Sequence, residues 1–368
     1  MDPSAIPAAQ SQATIRLVAV GDILLNGSQL EATAVDERLR LIQPLIAQAD
    51  IACANLECTL PGSGSLIETE PRVIASARQI EAVKGCGFQV VNLANNHMFD
   101  SLRPGFERLQ SFLRDLRLAN FGAGLDLEQA RAPLFREVNG IRLGFIGAAD
   151  RGSGIRHFAR PDHWGVAPLD LPALQAQIRE LSRQCDHLVV SLHWGEERFS
   201  IPAPRQIEQA HALIEAGAGI ILGHHPHVLQ GYEIYRGKPI IYSLGNFIAD
   251  DLPFSDGNIL SWKGPERIGC ILRLVLDREK VLQVEQIATC DRRPSLVITE
   301  DKHHLRYVRR VNRRLARGIT MPRYRWEHFK IRVCQPIWAH LRWRKLRQLR
   351  WRQLSRFLNQ LRGASPAG

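Results

Sequence analysis

Short, β-branched apolar runs recur along the chain, and each stops abruptly at a polar residue. Ile15 to Val20 runs into Gly21-Asp22, residues 51–54 into Asn55-Leu56-Glu57, and residues 89–93 into Asn95-Asn96-His97. Residues 188–192 run into His193, and residues 220–223 into His224-His225-Pro226-His227. Apolar runs of this length read as buried strands. Helix-like stretches at 104–116, 171–183 and 207–215 lie between them. Alternating strands and helices predict a mostly parallel sheet covered by helices. In such sheets ligands bind at the carboxyl ends of the strands, which is where every polar stop falls. Residues 142–146 and 239–242 add further strands. Residues 270–276 and 281–287 read as an antiparallel pair, with Asp277-Arg278-Glu279-Lys280 as the turn.

The 368 residues, 45% hydrophobic and 23% charged, leave room for one large domain with an appendage or for two ordinary domains. Charge divides them unevenly. From Asp301 onward there are 19 Lys and Arg against 2 Asp and Glu, which leaves 29 against 35 for residues 1–300. The expected organisation is a short N-terminal segment (1–14), a globular acidic body (15–300) and a basic extension (301–368). Seven cysteines without a CxxC pair fit neither a disulfide framework nor a zinc knuckle, so most are expected to be buried thiols. Residues 1–14 carry no signal-peptide pattern and no run of 18 apolar residues follows, which makes the cytoplasm the simplest compartment.

The polar stops form a donor set suited to two divalent cations. Such a pair needs a carboxylate able to bridge, with neutral His or Asn ligands to balance the charge. Asp22, Glu57, Asn96, His193, His225 and His227 supply a terminal acid, a bridging acid, an amide oxygen and three imidazoles. Two cations so held acidify a shared water and make it a nucleophile near neutral pH. His97 follows Asn96 directly and would point at the same place, with Asp100 three residues on to orient its imidazole as a general acid. Each residue alone has a bland explanation, as a turn, a helix cap or a core histidine. Three histidines in four residues at a strand end rarely serve packing, and bland explanations for all six together are improbable. Mn, Fe or Zn would suit these ligands about equally.

In order, Gly21-Asp22, Asn55-Leu56-Glu57, residues 93–100 (LANNHMFD), residues 193–197 (HWGEE), residues 225–231 (HPHVLQG) and residues 242–247 (YSLGNF) resemble the signature of the CapA family. That family is associated with poly-γ-glutamate capsule synthesis and belongs to the calcineurin-like metallophosphoesterase superfamily. The resemblance spans residues 15–287. It implies an α/β fold, a four-layer αββα sandwich with the metals at the strand ends, here followed by a basic helical extension. It also implies that Asp22 and His227 hold one metal, that Asn96, His193 and His225 hold the other, and that Glu57 bridges. His97 would be the catalytic histidine and Asp100 its partner. Phosphoesterases of the superfamily usually carry a His where Leu24 stands, and bridge with Asp rather than Glu. Both departures are shared with the CapA pattern.

The basic extension interleaves Arg with Trp326, Trp338, Trp343 and Trp351, and Leu354, Phe357, Leu358 and Leu361 make an apolar helical stripe. A basic amphipathic helix of this kind fits an anionic membrane surface. No nucleic-acid motif is present, which argues against that partner. Three functions are therefore expected. The first is a metal-dependent hydrolase acting on an anionic polymer or a phosphoester. The others are a non-catalytic metal-binding subunit of a membrane-associated polymer-synthesis complex, and a cytoplasmic phosphodiesterase.

Overall fold

The computed structural model of the chain describes residues 13–27, 34–64 and 66–334. The apolar stripe at 354–361 and Trp338, Trp343 and Trp351 lie outside these residues, as does most of the 1–14 segment. Compactness divides the chain after Ile319. The division does not fall at the composition break near residue 300, because the helix Lys302–Ala316 buries Tyr307, Val311 and Leu315 in the first unit. Of the second unit, the described part is the helix Met321–Phe329 and a π-helical turn at Lys330–Cys334. Among the described residues no helix is long and apolar enough to cross a membrane. All seven cysteines are free thiols, and five of them are buried.

Two mixed sheets, rather than one mostly parallel sheet, form the first unit. One runs in the order Leu296–Ile298, Val281–Asp291, Ile268–Leu276, Ile15–Leu24, Ile51–Leu56, Val90–Asn92, Ala119–Phe121, and Asn246–Ala249 pairs in parallel with the end of Ile15–Leu24. The other runs Tyr232–Tyr235, Lys238–Ile241, Ile220–His224, His187–His193, Ile141–Ala149, Leu134–Val138. Tight hairpins at the two edges of this second sheet introduce its antiparallel pairs. Asn139-Gly140 and Arg236-Gly237 turn the chain with both residues at positive φ, the conformation a two-residue hairpin needs.

Alternation along the strands sorts the side chains into layers. Leu17, Ala19, Cys53 and Val90 from the first sheet meet Leu143, Phe145, Val189 and Leu222 from the second, which makes the sheet-on-sheet core. The other face of the first sheet packs on the helices Ala77–Gly85 and Leu102–Asp115 through Ile80, Val83, Phe106 and Leu109. The other face of the second packs on Leu171–Leu181 and Pro204–Ala216 through Leu174, Ile178 and Leu213. These helices start where local chemistry directs. Ser76 and Gln79 form a capping box, Asp170 accepts from Ala173 N, and Pro204 opens its helix. The result is a four-layer αββα sandwich.

Candidate metal centre

The strands Ile15–Leu24, Ile51–Leu56, His187–His193 and Ile220–His224 end at one common edge of the sandwich. Asp22, Glu57 and His193 are fully buried there, and His225 and His227 nearly so. Parallel pairing sets this convergence: Asp22 stands opposite Asn55 in the first sheet, and His224 opposite His193 in the second. Two sets of potential ligand atoms lie within 4.8 Å of one another, Asp22 with Glu57 and His193, and Glu57 with His225 and His227. Glu57 belongs to both. Its Oε1 lies 3.7 Å from His193 Nε2 and 3.7 Å from His227 Nε2.

Asn96 joins through its amide oxygen, 2.8 Å from His193 Nε2. His227 Nδ1 is 3.4 Å from Asp22 Oδ2, and the His193 and His225 rings are 4.7 Å apart. All six expected ligands therefore meet. His225 (φ +93°) and His227 (φ +56°) lie in the left-handed region, which turns both rings back toward the same point at a cost in backbone energy. Beside them, His97 Nδ1 is 2.7 Å from Asp100 Oδ2, and the same oxygen accepts from Val73 N at 2.7 Å. Leu24 is fully buried in the apolar core beneath the helices.

Further polar residues that the sequence did not single out surround these. Asn55 Nδ2 donates to Asp22 (2.9 Å) and to Glu57 (3.3 Å), and its own Oδ1 accepts from Asn92 at 2.9 Å. Asn246 Oδ1 lies 2.9 Å from His227 Nδ1, and its amide donates to Glu266 O at 3.0 Å. That second bond fixes the amide orientation, so His227 carries its proton on Nδ1 and turns Nε2 toward Glu57. His224 Nδ1 stands 3.2 Å from Asp22 Oδ1.

The electrostatics suit cations. Burial raises a carboxylate, yet bonds from His224 and His227 hold Asp22 well below the usual range. Burial and the charge of Asp22 push Glu57 well above it. Burial and neighbouring imidazoles hold His193 well below the usual histidine value and bring His225 down to about 4, so both rings are neutral and able to ligate. Burial opposes charge on His227 as well, but the carboxylates of Glu57 and Asp22 outweigh it and lift the ring to about 10. Glu57 Oε1 and His225 Nδ1 have no hydrogen-bond partner among the described residues. Buried acceptors left this way are costly unless something binds them, and the mixed O and N donors match divalent first-row metals. The residues fit the ions.

Metal uptake should therefore displace a proton. The buried Glu57 and His227 pair, both pushed upward, holds a proton near neutral pH in the metal-free site, so apparent affinity should rise with pH by on the order of tenfold per unit for one proton released. Titration calorimetry in buffers of different ionisation enthalpy should find at least one proton released at pH 7. Uptake without proton release would contradict these charge states.

Residues 16–251 match the family model described as "Bacterial capsule synthesis protein PGA_cap". The chain is 32% identical over 246 residues to the capsule biosynthesis protein CapA of Bacillus anthracis, covering 64% of this chain and 60% of that protein. It is likewise 32% identical over 237 residues to the PGA biosynthesis protein CapA of Bacillus subtilis, covering 63% of this chain and 62% of that protein. The alignments thus span about three fifths of these curated relatives. Among solved structures, the NAD nucleotidase of Haemophilus influenzae superposes with a TM-score of 0.44 at 12% identity, over 81% of this chain and 62% of that one, too distant to bear on function. With the family profile matched from the first strand to just past the Asn246 strand, the chain belongs to the bacterial capsule synthesis protein (PGA_cap) family.

Proposed function

We propose that this chain is a metal-dependent hydrolase acting in the synthesis of an anionic surface polymer, on a phosphoester or on a glutamyl amide bond. The observation that carries the proposal is the position of Glu57, whose unpartnered carboxylate oxygen stands between His193 and His227 and belongs to both ligand sets. The names of the relatives from the two Bacillus species support the biological setting.

Asp22, Glu57, Asn96, His193, His225 and His227 would hold two divalent cations, which when bound supply Lewis acidity and an acidified water. The chain's own residues do the rest. Asp22 and Glu57 bring the negative charge that draws in the cations, and the neutral His193 and His225 rings complete the site without adding positive charge. Asp100 accepts from His97 Nδ1 and, being fixed in turn by Val73 N, keeps the imidazole in one orientation. Nε2 is then left to give a proton to the leaving group. The burial of the donors excludes bulk water from the reacting centre.

His97→Ala should lower kcat by about 100-fold or more and leave metal content unchanged, because His97 is not among the six ligands. Metal content by elemental analysis, with turnover of an aryl phosphodiester and of a γ-glutamyl amide, checks this. Full metal occupancy with no turnover of either substrate would sink the hydrolase and favour a non-catalytic subunit.

A further inference from the structure

The loop after the strand Ile141–Ala149 carries three guanidinium groups that the chemistry above does not use. The loop is fastened to the metal centre. Asp150 N donates to the His193 carbonyl at 2.8 Å, and Ser153 Oγ donates to the same oxygen at 3.2 Å. Gly154 borders Asn96, since a Cβ placed there would stand 3.9 Å from its Nδ2. Around this anchored turn, Arg151, Arg156 and Arg160 line one open cleft of about 590 Å³, with Phe158 and Pro168 in its wall. The Arg151 guanidinium lies 5.2 Å from the centre of the Phe158 ring, a contact that holds it in place.

Some arginines of the unit are neutralised by acid partners. Arg38 is bound between Asp250 and Asp291, Arg293 pairs with Asp251, and Arg198 pairs with Glu266. Among the described residues Arg151, Arg156 and Arg160 have no ion-pair partner, and Asp150 and Asp162 on the same loop do not pair with them. Three like charges gathered in one cleft repel one another. An anion with several charged oxygens removes that repulsion and matches the planar forks of the guanidinium groups.

We propose that this cleft binds anionic groups of the substrate remote from the bond that is cut. The ligand class is a polyanion with closely spaced carboxylate or phosphate oxygens. The proposal rests on the hydrolase reading for the word substrate, but the binding it asserts can be measured without turnover.

Fluorescently labelled decaglutamate and tripolyphosphate are titrated against the full-length protein, both loaded with Mn²⁺ and treated with EDTA, at low and high salt. Binding is expected in both metal states and should weaken with salt. Arg156→Glu and the triple Arg151→Glu/Arg156→Glu/Arg160→Glu variant should weaken it by about tenfold or more at unchanged metal content. Arg156→Lys keeps the charge but not the planar fork, and should bind less tightly than the wild type and more tightly than Arg156→Glu. The tighter of the two probes identifies carboxylate or phosphate as the recognised group. Unchanged affinity in both Glu variants overturns the proposal, as does the absence of binding to the wild type or binding that EDTA abolishes. Arg156→Glu alone decides the question should the triple variant fail to fold. Binding without turnover would support the cleft while removing the hydrolase.

Discussion

Replacing Glu57 by Gln is expected to weaken metal binding by at least about 100-fold without weakening the fold. Glu57 is fully buried and shares its surroundings with the ionised Asp22, which together with burial drives its pKa far upward. In the metal-free protein its charge is therefore a strain on the fold, and a neutral amide of the same shape relieves it. Glu57 also belongs to both ligand sets, so the same change removes a charged donor common to both cations. Metal affinity should fall by at least about 100-fold, since loss even of an outer-shell partner costs 10–100-fold. Saturating metal stabilises a native state by about 4 kcal/mol at 1,000 times its Kd. The wild type should thus melt higher with metal than with EDTA, whereas Glu57→Gln at the same metal concentration should keep at most about 1.4 kcal/mol of that gain, and its EDTA melting temperature should lie at or above the wild-type EDTA value. A variant that binds metal as tightly as the wild type, or that melts well below the metal-free wild type, would assign Glu57 a structural role instead.

Gly21→Ala is expected to be the most destabilising single-methyl change near the site. A Cβ at Gly21 would stand 1.8 Å from the Gly245 carbonyl oxygen and 2.9 Å from its carbon. Both contacts are backbone, so no side chain can rotate away. The neighbouring Asp22 N donates to that same carbonyl at 3.0 Å, so the strand cannot withdraw without giving up the bond that places Asp22. Overpacking of this kind costs about 3 kcal/mol, which corresponds to a fall in Tm of roughly 4–5 °C in a unit of this size. Metal uptake should weaken as Asp22 moves. Gly85→Ala is the control, because a Cβ there meets nothing within 4 Å. Equal Tm values for the two variants would mean that Gly21 does not touch the Gly245 carbonyl in solution.

The donors were legible because each sits at the junction between an apolar run and a polar stop, a signal that local sequence carries. Asp22, Glu57, Asn96, His193, His225 and His227 all share it, and the structure brings them together. What escaped depends on pairing between distant strands. Asn246 reaches His227 because its short strand lies parallel to the end of the first, with Asn246 opposite Asp22, and no periodicity announces that register. His224 was hidden inside an unusual run of histidines, and Asn55 behind the acid it supports. The division into two sheets came from the family resemblance, which implied the four-layer sandwich; the apolar pattern alone pointed to one sheet, since an apolar run does not declare its partner.

Two misses did have signals. Asn139-Gly140 between apolar strands is a strong hairpin mark and would have predicted the antiparallel edge of the second sheet. Tyr307, Val311 and Leu315 stand at i, i+4 and i+8, a core-facing stripe that the dense arginines of the same helix obscured.

Crystals grown with Mn²⁺, with anomalous diffraction recorded at the manganese edge, test the central claim most directly. Two peaks should appear, one on each side of the Glu57 carboxylate, within the ring formed by Asp22, Asn96, His193, His225 and His227. The account is contradicted if that ring shows no peak and these side chains keep their direct contacts with one another in the presence of the metal.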